Sequence, residues 1–92
     1  MSNNSVIDLI IARFKKETGL EKMDFDVFAK GEEIEIHLSY FLTRLKPVQS
    51  GYLSPLAAAD QIMKSCAGSF QEQRFHGVGL ITMKFNKEKS NV

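Results

Sequence analysis

The segment MDFDVFAKGEEIEIHLSY, residues 23–40, decides the fold of this 92-residue chain. Apolar and acidic side chains alternate through residues 23–29, where only Phe28 breaks the polar face, and apolar and polar side chains alternate again through residues 33–40. Between the two runs lies Lys30-Gly31-Glu32, which is typical of a tight turn. The pattern therefore predicts an antiparallel β-hairpin with one dry face and one solvent-exposed face. Such a hairpin needs helices on only one of its two sides.

A helix is predicted on each side of the hairpin in the sequence. Ser5 is a suitable N-terminal cap for the first helix, which is expected to end at Gly19. Ser54 and Pro55 suit the cap and first residue of the second helix, which is expected to end at Gly68. Apolar residues at helical spacing form the predicted buried stripes, which are Val6, Ile7, Ile10, Ile11 and Phe14 in the first helix and Leu56, Ala59, Ile62, Met63 and Cys66 in the second.

Weaker patterns describe the rest of the sheet. Residues 80–85 alternate and indicate a strand, and residues 70–75 are polar but can pair. The glycines in residues 77–79 indicate a turn or a bulge before the last strand. Residues 43–53 contain a proline and a glycine, so they form either an edge strand or a loop.

Together these elements predict one small α+β domain over residues 1–92. Its mostly antiparallel sheet has three to five strands, and two helices pack on one face of the sheet. The order along the chain is α-β-β-(β)-α-(β)-β, with the less certain strands in brackets. Residues 1–4 and 87–92 are expected to fray.

The composition is that of an ordinary globular domain, with 43% hydrophobic and 25% charged residues. Cys66 is the only cysteine, so no intrachain disulfide is possible, which fits a reducing cytoplasm. The first residues carry no basic stretch, and the apolar run at 6–11 is short and contains Asp8. We therefore expect neither a signal peptide nor a membrane span there.

The net charge of +1 hides an asymmetry between the two halves of the chain. Residues 1–43 carry five Lys/Arg and eight Asp/Glu, whereas residues 44–92 carry seven Lys/Arg and three Asp/Glu. A nearly neutral chain is not expected to coat nucleic acid nonspecifically, but its basic half can still make a local contact with an anion.

No arrangement of residues indicates catalysis. His37 lies between Glu35 and Ser39 on one side of a predicted strand, and a general base tuned by Glu35 is conceivable. A solvated sheet face explains the same residues. A thiol–imidazole pair of Cys66 and His76 is equally conceivable, although Cys66 falls on a buried helix stripe. One cysteine and two separated histidines give no zinc spacing. We therefore predict a protein that is not an enzyme and that has no metal or other cofactor.

Two charged sets are the candidate binding residues. Alternating acids on the hairpin can bind a cation, mimic a nucleic-acid backbone, or simply keep an exposed sheet face soluble. Basic residues of the second half would converge on phosphates or on an acidic protein groove if the strand at 80–85 lay beside residues 42–46. The acidic set is Asp24, Asp26, Glu33 and Glu35, and the basic set is Arg44, Lys46, Arg74, His76, Lys84 and Lys87.

Three aromatic residues lie near the basic set in the sequence, namely Phe41, Tyr52 and Phe75. Exposed aromatic rings among arginines would suit a protein interface or the stacking of nucleic-acid bases. For each of the three, taken singly, a position in the core is the expected one.

In size and overall character the chain resembles the small phage-encoded anti-CRISPR proteins that block type I-F, RNA-guided surveillance complexes. The resemblance involves the whole chain, including the capped helix from Ser5, the segment at 54–60 and the basic end at 74–89. It does not depend on a diagnostic motif, because anti-CRISPR families share none.

This resemblance implies an inhibitor that works in the bacterial host cytoplasm. It would bind subunits of an assembled ribonucleoprotein, with the guide RNA as a further contact open to it, and would prevent target DNA from pairing with that guide. The acidic set would meet the DNA-binding surfaces of the complex, and the basic set would touch the RNA. The alternative is a small nucleic-acid-binding or regulatory module that acts directly through the basic half of the chain.

Overall fold

A computed structural model describes residues 5–90 and has two helices on one face of a four-stranded antiparallel sheet. The strand order is β1-β2-β4-β3, so the hairpin strand β2 and the last strand β4 lie at the centre. The predicted α+β fold is confirmed. The elements are α1 (Ser5–Thr18), β1 (Met23–Lys30), β2 (Glu33–Phe41), α2 (Pro55–Ser65), β3 (Ser69–Phe75) and β4 (Val78–Asn86).

The hairpin forms as the alternating pattern predicts. Met23 pairs with Tyr40 at one end, and Lys30 pairs with Glu33 at the other. Gly31 lies in the turn with φ of 63°, a left-handed conformation that glycine adopts at little cost. This register places Ile34, Ile36, Leu38 and Tyr40 of β2 on the side of the helices and leaves its charged residues on the open side.

Both predicted helices are present. The Ser54 hydroxyl accepts a hydrogen bond from the Ala57 amide at 3.2 Å and caps α2. At the end of α2 the left-handed residue is Ala67, with φ of 52°, and not the expected Gly68. Gly68 serves close packing instead, since a Cβ there would lie 2.5 Å from the Lys84 carbonyl oxygen. The proposed capping by the side chain of Ser5, and the fraying of residues 1–4, lie outside the described residues.

The second hairpin turns one residue earlier than the glycines suggested. His76 and Gly77 form its two-residue turn with φ of 51° and 77°. Positive φ at both positions is the geometry of a type I′ turn, which suits the twist of antiparallel strands. Val78 and Gly79 are therefore the first residues of β4 and not part of a flexible break.

The uncertain segments form short 3-10 turns. Leu42–Arg44 and Val48–Ser50 are such turns, so residues 43–53 are a loop and add no fifth strand. Lys87–Lys89 form a further turn, in which the Lys87 amide donates to the Glu32 carbonyl at 2.8 Å. The chain is thus structured through these residues, where fraying was expected.

The core lies between the helices and one face of the sheet. Ile10 and Phe14 of α1 and Ile62 of α2 are fully buried against the inward side chains of β2 and β4. The prediction that Leu56 belongs to the buried stripe of α2 is wrong, because its side chain is 37% exposed. Within residues 5–90, neither helix has the length and apolar character needed to cross a membrane.

Candidate interaction surface on the open sheet face

The face of the sheet opposite the helices carries no covering element among residues 5–90 and is the candidate site. Alternation within each strand sends every second residue to this open face. The acidic set lies there, as the pairing registers require. His37, Ser39, Thr82 and Lys84 lie on the same face.

One corner of the open face is apolar. Phe41 of β2 and Phe75 of β3 both pair with Val78 of β4, so the three form one row across the sheet. Phe75 is 67% exposed and Phe41 is 50% exposed, and Leu80 in the next row is 39% exposed. We call Phe41, Phe75, Val78 and Leu80 the aromatic corner. The expectation that Phe41 and Phe75 are core residues is wrong.

Two cationic or titratable side chains border the aromatic corner. The Arg44 guanidinium lies 5.9 Å from the centroid of the Phe41 ring, within cation–π range. The His76 ring meets the Phe75 ring edge-on at a centroid distance of 4.1 Å. The Leu42 amide donates to the Gly77 carbonyl at 2.9 Å, which ties the segment before Arg44 to the turn that contains His76.

The open face divides by charge. All the carboxylates that it carries lie on β1 and β2, and the outward residues of β3 and β4 include none. Those outward residues are Ser69, Gln71, Gln73, Phe75, Val78, Leu80, Thr82, Lys84 and Asn86. The β3–β4 half of the face is therefore neutral or cationic and rich in amide and hydroxyl groups, whereas Glu21 and Asp24 lie on the β1 side of Phe41 and Val78.

The acidic half is partly neutralised by its own neighbours. His37 Nε2 lies 2.5 Å from Glu35 Oε2, and Lys84 Nζ lies 3.6 Å from Glu35 Oε1. The hydrogen bond with His37, assisted by the charge of Lys84, lowers the pKa of Glu35 below its ordinary value of 4.5. His37 is therefore the partner of an exposed carboxylate, as a solvated sheet face requires.

Phe28 provides a second exposed aromatic ring on the same face. It is 56% exposed and lies 5.0 Å from the His37 ring, centroid to centroid. Its cross-strand partner is Glu35, so this ring lies in the acidic half. Phe28 thus matches Phe75 in chemistry and exposure but not in its surrounding charge.

The basic set does not form one surface. Arg44, Lys46 and Lys22 line a shallow depression of about 430 Å³ near the aromatic corner. Lys84 lies six residues further along β4 than Val78, which is roughly 20 Å away, and Lys87 follows beyond it. The expected convergence fails because the strand at 80–85 pairs with β2 and β3, whereas residues 42–46 lie past the end of β2.

Arg74 also faces away from the aromatic corner. It pairs with the inward-facing Gly79, and its Nε donates to Glu72 Oε1 at 3.2 Å. Glu72 in turn accepts a hydrogen bond from the Tyr40 hydroxyl at 3.0 Å. Burial, together with this bond to Glu72, raises the pKa of Tyr40 to about 12. This network holds the inner side of the sheet and is not part of the open face.

The conceivable thiol–imidazole pair of Cys66 and His76 is not assembled. Cys66 is fully buried, with its sulfur 3.4 Å from the Ser90 hydroxyl, whereas His76 is exposed in the β3–β4 turn. Across residues 5–90, no group of three or more His, Cys, Asp or Glu side chains is placed to hold a metal ion. The open face carries aromatic rings, charged groups, amides and hydroxyls, which can bind a partner through stacking, ion pairs and hydrogen bonds.

The pattern of β2 contained the signal for Phe41. Outward residues in this strand are odd-numbered, from Glu33 to Ser39, and the same alternation puts Phe41 on the open face. Val78 and Leu80 follow from the alternation of β4 in the same way. That these residues meet Phe75 depends on the strand order, which no local pattern reveals.

Comparisons with protein-family models, with curated proteins and with solved structures each found no match.

Proposed function

We propose that this chain is a non-catalytic binding protein, and that it inhibits an RNA-guided surveillance complex by docking through its open sheet face. The observation that carries the proposal is the aromatic corner. Phe41 and Phe75 are exposed aromatic side chains in one row of the sheet, on the face opposite the two helices. In the host cytoplasm the protein would prevent the complex from binding target DNA.

The exposure of the aromatic corner supports the proposal that this surface binds a partner. Leaving two phenylalanines and a leucine in water forgoes apolar burial worth roughly 1.5–3 kcal/mol per fully buried side chain. Contiguous apolar residues with a polar rim are typical of interaction sites, and an arginine beside aromatic rings is typical of interface hot spots. Here the rim consists of Arg44, His76 and the amides and hydroxyls of β3 and β4.

The charge distribution of the open face supports a partner made of both protein and RNA. A ribonucleoprotein presents basic protein surfaces as well as exposed RNA. The carboxylates of Asp24 and Asp26 form no ion pair within residues 5–90 and would meet the protein cations. Arg44 and Lys46, which follow the end of β2, would meet phosphates. The type I-F complex is the partner that the resemblance of the whole chain implies.

A DNA-binding competition tests this proposal. Purified type I-F surveillance complex is mixed with increasing amounts of the protein, and its binding of labelled target duplex is measured by gel shift. We expect DNA binding to be lost near equal amounts of protein and complex. Full DNA binding at a large excess of the protein would contradict the proposal.

A matched pair of variants locates the contact. Phe75→Ala removes a ring from the aromatic corner, whereas Phe28→Ala removes an equally exposed ring from the acidic half. If the aromatic corner is the hot spot, Phe75→Ala weakens inhibition much more than Phe28→Ala does. Equal weakening would place the contact elsewhere.

A further inference from the structure

We infer that the aromatic corner binds single-stranded RNA, with unpaired bases stacking on the rings of Phe41 and Phe75. The inference rests on the proposed function insofar as it takes the same surface as the binding site, and it names the ligand of that surface. RNA binding by the isolated protein is a separate observable from inhibition of a complex. The two claims can therefore fail independently.

The spacing of the two rings suits successive unpaired nucleotides. Phe41 and Phe75 lie on strands either side of β4, in register with Val78. Two interstrand spacings put their backbones roughly 10 Å apart. An extended RNA strand that crosses the sheet along this row can place one base on each ring, with Val78 between them. Duplex RNA cannot, because its bases are stacked inside the helix.

The charges at the aromatic corner suit phosphates. Arg44 lies over Phe41, and Lys46 and Lys22 line the depression beside it. A guanidinium at the edge of a stacking ring can meet the phosphate of the stacked nucleotide. The outward residues of β3 and β4 include no carboxylate, whereas Glu21 and Asp24 line a depression with Phe41 and Val78, so the phosphates are expected on the Arg44 and Phe75 sides of the row.

The neighbouring row offers hydrogen bonds for bases and sugars. Ser39 and Gln73 flank Leu80 in register, one row along from the two phenylalanines. Gln73 is exposed, and Gln71 and Thr82 extend the same neutral strip. Amide and hydroxyl groups can pair with base edges and with the 2′-hydroxyl that distinguishes RNA. An acidic protein partner would instead be met by a denser cluster of cations than this strip provides.

The turn beside the aromatic corner supports the inference independently, through the conformation of His76 and its contact with Phe75. His76 adopts a left-handed conformation, in which asparagine, aspartate and histidine are enriched over other residues with a Cβ. Asparagine is the usual residue at this position of a type I′ turn. A histidine there places a planar ring edge-on against Phe75, with the ring centroids 4.1 Å apart.

Fluorescence anisotropy with the full chain tests the inference. The probe is a fluorescein-labelled oligouridylate of about ten nucleotides, a length within the range that single-strand sites occupy. We expect saturable binding that weakens with salt, since phosphate contacts release counterions. Phe41→Ala and Phe75→Ala should each weaken binding roughly 5- to 100-fold, as expected for the loss of one stacked base.

Two control variants separate stacking from general effects. Phe75→Tyr keeps an aromatic ring and should retain affinity, whereas Phe75→Leu keeps apolar area and should lose it. Phe28→Ala should bind like the wild type, because that ring lies outside the aromatic corner, across from Glu35. Circular dichroism of each variant confirms that the fold is intact, since all three positions are exposed.

Several outcomes would overturn the inference. No saturable binding at about 100 μM protein would do so, and so would equal binding by wild type and by the Phe41→Ala/Phe75→Ala double variant. Tighter binding to an oligodeoxythymidylate of the same length would overturn the assignment to RNA. Binding of RNA without inhibition of the surveillance complex would remove the proposed function alone, and inhibition without RNA binding would remove this inference alone.

Discussion

The two faces of the sheet use the same strands for opposite purposes. On the covered face, Ile34, Ile36 and Leu38 of β2 are at most 2% exposed. On the open face of the same strand, Phe41 is 50% exposed, and Phe75 of β3 is 67% exposed. Hydrophobic side chains of the same sheet therefore differ in role according to the face on which they lie. Where helices cover a side chain, it stabilises the fold, and where they do not, it is available to a partner.

The comparison also teaches that exposure alone does not define a site. Phe28 and Phe75 are both exposed rings on the open face, but Phe28 is paired with Glu35, whereas Phe75 lies in a strand with no outward carboxylate. Charge around the ring distinguishes the two positions. The predictions below test first the separation of the two faces and then the finer differences.

The largest effect is expected from truncation on the covered face. Ile36→Ala removes a fully buried side chain and should lower the free energy of unfolding by about 2–5 kcal/mol. Phe75→Ala, on the open face, should change it by less than about 0.5 kcal/mol. Urea denaturation of the two variants measures both values. A loss at Phe75 as large as that at Ile36 would abolish the distinction between the faces.

Gly79 tests how tightly the covered face is packed. The residue faces inward opposite Tyr40, and a Cβ there would lie 2.5 Å from the Tyr40 hydroxyl oxygen. Gly79→Ala should therefore destabilise the protein by about 1–3 kcal/mol through overpacking. In a Tyr40→Leu background the same change should cost less, because the ring is gone. An equal cost in both backgrounds would show that the clash is not with Tyr40.

The Tyr40 hydroxyl, on the covered face, makes a smaller contribution to the free energy of unfolding. Tyr40→Phe removes its hydrogen bond to Glu72 and should cost about 1 kcal/mol at pH 7. Because the pKa of Tyr40 is raised to about 12, the hydroxyl's contribution is complete below pH 10 and is lost between about pH 10 and 12.

Denaturation at two pH values checks this. The difference between wild type and Tyr40→Phe should shrink by roughly 1 kcal/mol between pH 8 and pH 11, since the unfolded chain ionises first. A difference that stays constant over this range would mean that Tyr40 ionises equally in both states.

The smallest effect is expected at the exposed pair of Glu35 and His37. His37→Ala should raise the pKa of Glu35 toward 4.5, because the hydrogen bond is the main cause of its lowering. The lowered pKa stabilises the fold above the ordinary value and ceases to do so as the pH falls through the folded value. NMR titration of the Glu35 carboxyl carbon measures the shift. An unchanged pKa would assign the lowering to Lys84 instead.

The fold was predictable from local patterns because each element has its own signal. The alternation at 23–40 and the Ser54-Pro55 start of α2 both depend on neighbours in the sequence. The fate of residues 43–53 was less clear, since a proline and a glycine suit an edge strand as well as a loop. The 3-10 turn at Lys87–Lys89 was not predicted, since its hydrogen bond from the Lys87 amide goes to the carbonyl of the distant Glu32.

The candidate site was only partly predictable. Which residues point outward follows from alternation, and the acidic set lies on the open face as that pattern requires. The predicted grouping of the basic residues depended on the assumption that the strand at 80–85 lies beside residues 42–46. Insertion of β4 between β2 and β3 brings Phe41, Val78 and Phe75 together and sends Lys84 to the far end. Such a grouping is a property of topology, which the local sequence does not encode.

The most direct test of the central claim, that the open face binds through its aromatic corner, is amide NMR of the ¹⁵N-labelled protein during titration with oligouridylate. We predict that the shifts concentrate at Phe41, Arg44, Phe75, His76 and Val78, while the helices and the residues around Phe28 remain unchanged. Shifts centred on Phe28 and Glu35, or on the outer surfaces of the helices, would contradict the claim, and so would a spectrum that does not change.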